Sequence, residues 1–326
     1  MHVKVEVETW PLRTPFRISG AAFDSIEVVV ATVREGQHVG RGEAAGVGYR
    51  RDTVDRIAAR LREIAALPEL SMSRDEVQKL PAGGARNALD CALWELEARQ
   101  RGYPVWRLAQ IDSPRPLLTT YTIGAGDPEE MATKARQFSD ARALKIKLTG
   151  ESIDLQRLRA VRDARPDVWL AVDANQGYTL KRLQELLPDL ITARVQLIEQ
   201  PLPIGQEAQL EGLQCPIPLA ADESVQTLED LPALVGRFDV INIKLDKCGG
   251  LTHALRMARE ARRLGLRPMV GNMLGTSWAM APGFLVGQLC EIVDLDGPLL
   301  LAGDREPAVR YRDGYVECSD EVWGAP

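Results

Sequence analysis

Ala143-Leu144-Lys145-Ile146-Lys147-Leu148 is a short, apolar, β-prone stretch that nevertheless carries two lysines at i and i+2. Side chains of a strand alternate between its faces, so Lys145 and Lys147 point one way and the three aliphatics point the other. If Leu144, Ile146 and Leu148 face a helix layer, both ammonium groups face the inside of a barrel or the strand's end. An edge strand with its lysines in water is the plainer alternative. A buried lysine needs a reason, because its charge is costly to desolvate.

The apolar runs downstream favour the barrel. Val168–Gln176 carries Asp173 at the end of its apolar part, Val195–Pro201 carries Glu199, Ile217–Ser224 carries Asp222, and Val240–Leu245 ends near Lys244. From Lys147 these charges follow at intervals of 26, 26, 23 and 22 residues. Each interval holds one strand and one helix, so each charge caps a successive parallel strand. Five in series point to a site at one mouth; the alternative is three unrelated solvated acids at strand ends.

Further strands are expected near 118–123, 267–271 and 291–295, and helices at 128–140, 152–165 and 249–264. No Gly-rich nucleotide fingerprint follows any strand. About 180 residues is compact for a closed eight-stranded barrel, which suits one whose last helix is truncated or replaced. Upstream, Val3–Trp10, Ser25–Val33 and the glycine-rich Gly40–Ala44 read as strands. Thr53–Leu67 and Gly84–Arg101 read as helices, the second stopped by Gly102. The expected organisation is an α+β domain over residues 1–113, a (β/α) barrel over 114–299, and a segment over 300–326 that returns to the first domain. Ser113-Pro-Arg-Pro116 is the linker.

At 326 residues with net charge −6, the chain is an unpromising partner for nucleic acid. Its five cysteines are scattered and unpaired in sequence, reading as reduced core residues, and its three histidines sit in no nucleophile motif. The N-terminus lacks a signal-peptide pattern. The charge-free window between Arg267 and Glu291 contains Asn272, Pro282 and four glycines, which suits a buried strand, loop and helix better than a membrane span. A cytoplasmic protein without membrane contact is expected.

Three carboxylates at one mouth repel each other unless a divalent cation sits between them, and all-oxygen ligation suits Mg²⁺ or Mn²⁺. Lysines beside a cation and beside each other have lowered pKa values, so a neutral amine becomes accessible near pH 7. A base on one face of a flat intermediate and an acid on the other can remove a proton and deliver one. A metal-bound carboxylate whose adjacent carbon loses its proton becomes an enediolate.

Lys145-Ile-Lys147, Asp173-Ala-Asn175, Glu199-Gln-Pro201, Ala221-Asp-Glu-Ser224, Asn242-Ile-Lys244 and Asp294-Leu-Asp296 together resemble the muconate-lactonising subgroup of the enolase superfamily, and within it the dipeptide epimerases, L-Ala-D/L-Glu epimerases above all. The resemblance spans the chain, because Ala85–Trp94 and the N-terminal strands resemble that family's capping domain. It implies a modified TIM barrel of the (β/α)7β type beneath an N-terminal α+β cap. It also implies a Mg²⁺-dependent 1,1-proton transfer at the C-terminal residue of a small dipeptide, in murein peptide recycling. By the same resemblance Asp173, Glu199 and Asp222 bind the metal, Lys147 and Lys244 are the acid/base pair, and Lys145 touches the substrate carboxylate. Asp294 and Asp296 hold the dipeptide's α-ammonium, their alternative being a structural turn before Gly297-Pro298. Asn272 and Met273 approach the substrate. Loops near 17–24 and 45–52 cover the mouth, with Arg17, Arg50 and Arg51 as candidates for an acidic side chain; the arginine of glutamate-specific relatives falls near Ala21 here. An N-acylamino acid racemase, an o-succinylbenzoate synthase and a muconate cycloisomerase are the neighbouring alternatives. A metal-binding protein without turnover has no use for two such lysines, and a Schiff-base aldolase none for the acids. A homo-oligomer is left open.

Overall fold

Residues 1–18, 21–67 and 72–325 are described by the structure, a computed structural model. Two long antiparallel strands open the chain, β1 (His2–Ile18) and β2 (Ala21–Glu35), with β3 (His38–Ala44) on the other side of β2. The sequence reading stops the first strand at Trp10, because Pro11 and Pro15 cannot donate to a ladder. β1 instead crosses both prolines through a register shift and resumes pairing at Phe16. The interruption is used: Leu12 bridges to Leu301, and the Pro11 carbonyl accepts from the amide of Ala302 at 2.8 Å.

Two helices pack on this sheet, α1 (Val54–Ala65) and α2 (Gly84–Arg101). Ile57, Ala58, Leu61 and Ile64 give α1 one buried stripe against the sheet's Val29, Ala31 and Val33. The glycines of β3 have a packing cause. A Cβ on Gly40 or Gly42 would collide with the carbonyl oxygens of Ala92 and Ala88, so their absence lets α2 lie directly on the strand.

The second sheet holds eight parallel strands in sequence order: β4 (Thr120–Ile123), β5 (Ala143–Lys147), β6 (Trp169–Asp173), β7 (Leu197–Glu199), β8 (Leu219–Ala221), β9 (Val240–Ile243), β10 (Arg267–Val270) and β11 (Ile292–Val293). Outside them lie α3 (Pro128–Gln137), α4 (Asp154–Ala164), α5 (Leu180–Thr192), α6 (Leu231–Leu234), α7 (Leu251–Arg263) and α8 (Ser277–Gly287). Only a 3₁₀ turn at Glu207–Leu210 separates β7 from β8, and the helix after β11 is four residues, Gly297–Leu300. Those truncations make the barrel compact. β4 and β11 end the sheet order, and side chains stitch the seam between them. Thr119 Oγ1 accepts from Leu295 N at 2.9 Å, Thr120 Oγ1 donates to Asp294 Oδ1 at 2.5 Å, and Asp296 Oδ2 accepts from Thr122 N at 2.6 Å.

Alternation sorts the strands. Leu144, Ile146, Leu170, Val172, Ile198, Ile241 and Ile243 join the core under the helices, while Ala171, Leu197, Ala220, Val240 and Met269 form a separate cluster inside the barrel. Above that interior cluster the inward positions become charged. The chain ends in a hairpin of β12 (Arg310–Arg312) and β13 (Tyr315–Glu317), paired with Leu117–Leu118. Among the described residues no helix is long and apolar enough to cross a membrane.

Candidate active site

Sheet register sets the level of the site. Lys147 lies opposite Asp173 and Asp173 opposite Glu199, each at the C-terminal end of its strand. Asp222 and Lys244 follow directly after β8 and β9. The carboxylates of Asp173, Glu199 and Asp222 are all buried, with oxygens within 4.8 Å of one another. In strand order the lysines bracket the acids: Lys147 Nζ is 2.6 Å from Asp173 Oδ2, and Lys244 Nζ is 2.7 Å from Asp222 Oδ2. Lys145, one pleat deeper, pairs with Asp294 and lies 3.3 Å from Glu199 Oε2. Asn242 Nδ2 donates to Glu199 Oε1 at 2.7 Å.

Burial pushes the Glu199 carboxyl up to about 7, helped by the charge of Asp173. Glu223, buried beside Asp222, is likewise pushed up to about 7. Burial also raises Asp222, but Lys244 and Lys247 outweigh it and hold that carboxyl well below the usual range. The lowering expected from the sequence is that of a lysine beside a cation; at Lys145 and Lys244 the protein's own carboxylates act in the opposite direction. Burial does disfavour their charge, yet Asp294 and Glu199 at Lys145, and Asp222 and Glu199 at Lys244, overcome it and raise both. The carboxylates dominate because they exceed the amines. Asp173, Glu199, Asp222, Glu223, Asp294 and Asp296 face Lys145, Lys147, Lys244 and Lys247, all buried, which leaves two negative charges in formal excess once every carboxyl is ionised. Asn175 Oδ1, Glu223 Oε2 and Asn242 Oδ1 are buried acceptors without a donor. An oxygen-only donor set, two uncompensated charges and orphaned acceptors fit a hard divalent cation.

The remaining candidates are distributed around the mouth. Asp294 and Asp296 close the barrel seam as well as facing the site. Lys145 keeps the Asp294 carboxyl low against burial, whereas burial and the charge of Asp294 push Asp296 up to about 6. Asn272 Nδ2 donates to the Asp294 carbonyl at 2.6 Å and so holds that strand end. Met273 is half-buried beside Gly271, Glu43 and Asp246. Arg17 is exposed on the β1–β2 hairpin, whose chain abuts the loop after β4: Ala125 N donates to the Arg17 carbonyl at 2.9 Å. Of the 17–24 loop, residues 19 and 20 and the side chains of Ile18 and Ala21 lie outside the described residues. Arg50 is exposed and donates to Gln226 Oε1 at 3.1 Å; Arg51 is exposed beside it.

Sequence reasoning missed Lys247, Asp246 and the Tyr49–Gln226 pair. Lys247 Nζ donates to Asp222 Oδ1 at 2.5 Å, to the Asp222 carbonyl at 2.6 Å and to the Asn242 carbonyl at 3.0 Å. Its spacing of three from Lys244, just before Gly249-Gly250, was the available signal. Asp246 accepts from Ala45 N and Gly46 N, each at 3.0 Å, and burial pushes it up to about 6. Gln226 Nε2 donates to Tyr49 Oη at 3.0 Å, fastening the 45–52 loop to the barrel.

A capped α/β-barrel enzyme whose acid triad stands between two lysines is the class that this fold and site define. Residues 1–109 match the mandelate racemase / muconate lactonizing enzyme N-terminal domain and residues 130–322 the enolase C-terminal domain-like family; the chain belongs to this branch of the enolase superfamily. It is 40% identical over 317 residues to an L-Ala-D/L-Glu epimerase of Escherichia coli K12, covering 96% of this chain and 98% of that one. An Agrobacterium tumefaciens enolase family member with homology to dipeptide epimerases, solved with sodium and L-Ala-L-Glu, shares its structure at a TM-score of 0.96. The two chains are 41% identical, with 99% of each covered. A dipeptide epimerase of Methylococcus capsulatus, solved with Mg and L-Arg-D-Lys, superposes with a TM-score of 0.91 at 30% identity over 97% of this chain and 96% of that one.

Proposed function

We propose that this chain is a Mg²⁺-dependent dipeptide epimerase that inverts the α-carbon of the C-terminal residue, with L-Ala-D/L-Glu as the preferred pair. The observation that carries the reading is the bracketing of one buried acid triad by Lys147 at its Asp173 end and Lys244 at its Asp222 end. Asp173, Glu199 and Asp222 would hold the cation, which supplies Lewis-acid stabilisation for charge developing on a substrate carboxylate. One lysine, as free amine, takes the α-proton; the other, as ammonium, returns one to the opposite face. Lys145, held between Asp294 and Glu199, offers a fixed positive charge at depth. Asp294 and Asp296 present negative charge at the barrel seam, which suits a substrate ammonium and disfavours an N-acylated substrate. Asn272 acts through Asp294. To Arg17 and Arg50, with Met273, we assign recognition of the epimerised side chain.

We divide the chain at 113/114 and 299/300 on its separate sheets, the antiparallel β1–β3 and the parallel β4–β11; the apolar core itself runs across both points, since Trp94, Ile111 and Trp323 pack with the barrel's residues. A role in murein peptide recycling and a cytoplasmic location follow from the substrate proposed. Incubation with a dipeptide library and Mg²⁺ in D₂O, read by mass spectrometry, tests the reading: deuterium enters at the C-terminal α-carbon and both epimers accumulate. Lys147→Ala and Lys244→Ala each abolish epimerisation yet retain exchange of one epimer. If either variant epimerises at the wild-type rate, the two-base assignment is wrong.

A further inference from the structure

We propose that each lysine has its own positioning carboxylate, Asp154 for Lys147 and Asp246 for Lys244. This rests on the two-base reading above and adds to it two residues that touch neither base.

Lys147 ends β5, and the chain turns at once through Leu148, Thr149 and Gly150. Asp154 is 1% exposed near the start of α4, and its carboxylate accepts from Thr149 N at 3.1 Å and Gly150 N at 2.8 Å. Two amides that leave the sheet ladder are thereby satisfied by one charged group. The carboxylate is itself fixed. Arg157 Nη1 donates to Asp154 Oδ1 at 2.9 Å, while Arg157 Nε donates to the Gly126 carbonyl, in the loop after β4, at 2.8 Å. Tyr178, in the loop after β6, brings its hydroxyl within 3.5 Å of Asp154 Oδ2. Gly150 adopts φ +82° against the Gly177 carbonyl, where a Cβ would not fit. The loops after β4, β5 and β6 therefore converge on Asp154, and Leu148, the residue after Lys147, donates its amide to the Asp173 carbonyl at 2.9 Å.

Lys244 precedes a single helical turn, Leu245–Cys248, and two side chains of that turn fix it from opposite sides. Lys247 ties it to Asp222 within the barrel. Asp246, 6% exposed, ties it to the antiparallel domain through Ala45 N and Gly46 N. Those amides lead into the segment carrying Tyr49, so the cap and the Lys244 turn share one carboxylate. Without it the buried Gly46 amide and the half-buried Ala45 amide lose their acceptor, and the turn is free of the cap.

Displacing a reacting group by about 1 Å costs on the order of 100-fold in its own step. Each lysine serves the α-proton of one epimer, so losing one positioning carboxylate should bias exchange rather than lower it evenly. The experiment measures α-proton exchange in D₂O, with Mg²⁺, of L-Ala-L-Glu and L-Ala-D-Glu separately, using full-length Lys147→Ala, Lys244→Ala, Asp154→Asn, Asp246→Ala and Asp246→Asn. Asp154→Asn, whose one oxygen cannot accept both from the Thr149 and Gly150 amides and from Arg157, is expected to slow, by about tenfold or more, the same epimer that Lys147→Ala fails to exchange. Asp246→Ala should do so for the epimer lost in Lys244→Ala, and Asp246→Asn, which keeps the acceptor oxygen, should recover most of it. Arg157→Lys, which slackens Asp154 without removing it, should show the Asp154 bias and serves if Asp154→Asn does not fold. Equal slowing of both epimers, or the opposite bias, overturns the inference while leaving the two-base reading intact. If the lysine variants themselves show no opposite bias, the two-base reading falls and this inference with it.

Discussion

Titrating the protein with Mg²⁺ between pH 5 and 8 reports directly on Glu199. Its buried carboxyl is moved from the ordinary value of 4.5 to about 7 by desolvation and by Asp173, against the pull of Lys145. A protonated oxygen is a poor ligand, so the proton must leave as the cation enters. At pH 6 about nine molecules in ten hold that proton, so the apparent binding constant is about tenfold lower, a penalty of about 1.4 kcal/mol; at pH 5 it is about 100-fold lower. Above pH 7 the dependence flattens. The same shift has a consequence for stability. The folded pKa lies above that of the unfolded chain, so the folded state binds more protons between 4.5 and 7 and loses stability as the pH rises through that window. Glu199 alone accounts for about 3 kcal/mol. The metal-free protein should therefore melt lower at pH 8 than at pH 5.5 relative to Glu199→Gln, and Mg²⁺ should offset the loss. Calorimetric titration in two buffers of different ionisation enthalpy measures the linkage directly, with about one proton released per cation at pH 6 and almost none at pH 8. Glu199→Gln should abolish the step, whereas Glu223→Gln should retain it. Equal affinity at pH 6 and pH 8 with no proton release would refute the reasoning.

Asp296→Ala should raise KM for a dipeptide at least about tenfold and leave the amide of Thr122 unpaired, lowering stability by about 1–3 kcal/mol; steady-state kinetics and thermal melts separate the two effects. Arg305→Ala should cost about 3–5 kcal/mol, because Arg305 pairs with the buried Glu43 at 2.9 Å and stacks 3.9 Å over the Trp278 ring. Burial raises Glu43, so protonation relieves the stranded charge, and the deficit measured by denaturation should shrink from pH 8 to pH 5. Gly150→Ala combines a strained φ with a collision against Gly177 and should lower stability by at least about 1–3 kcal/mol in thermal melts.

The lysines of β5 were legible because a strand has a period of two and the flanking aliphatics left no choice of face. α2 was legible to its last residue, since an apolar stripe ran to a glycine stop at Gly102. β1 was not, because a proline reads as a strand end when nothing local reveals that Leu301 will bridge the gap. Lys247, whose spacing from Lys244 is its one local signal, was missed for a similar reason. A lysine among Leu245, Asp246 and Cys248 looks like any surface lysine until Asp222, 25 residues away, is folded against it. The pull of the carboxylates on Lys145 and Lys244 was illegible too, because the sequence displays each charge without the distances that decide which neighbour prevails.

Five strand ends bearing Lys147, Asp173, Glu199, Asp222 and Lys244 in that order are a property of the chain alone. Their spacing matches one strand and one helix per step, and parallel closure then has to gather them at one rim. Whether each charge is compensated was decided only by the tertiary structure. Asp222 meets two ammonium groups, while Glu199 is buried with Asp173 outweighing the one ammonium of Lys145 beside it, and a buried group's proton affinity depends on such surroundings far more steeply than on its place in the sequence.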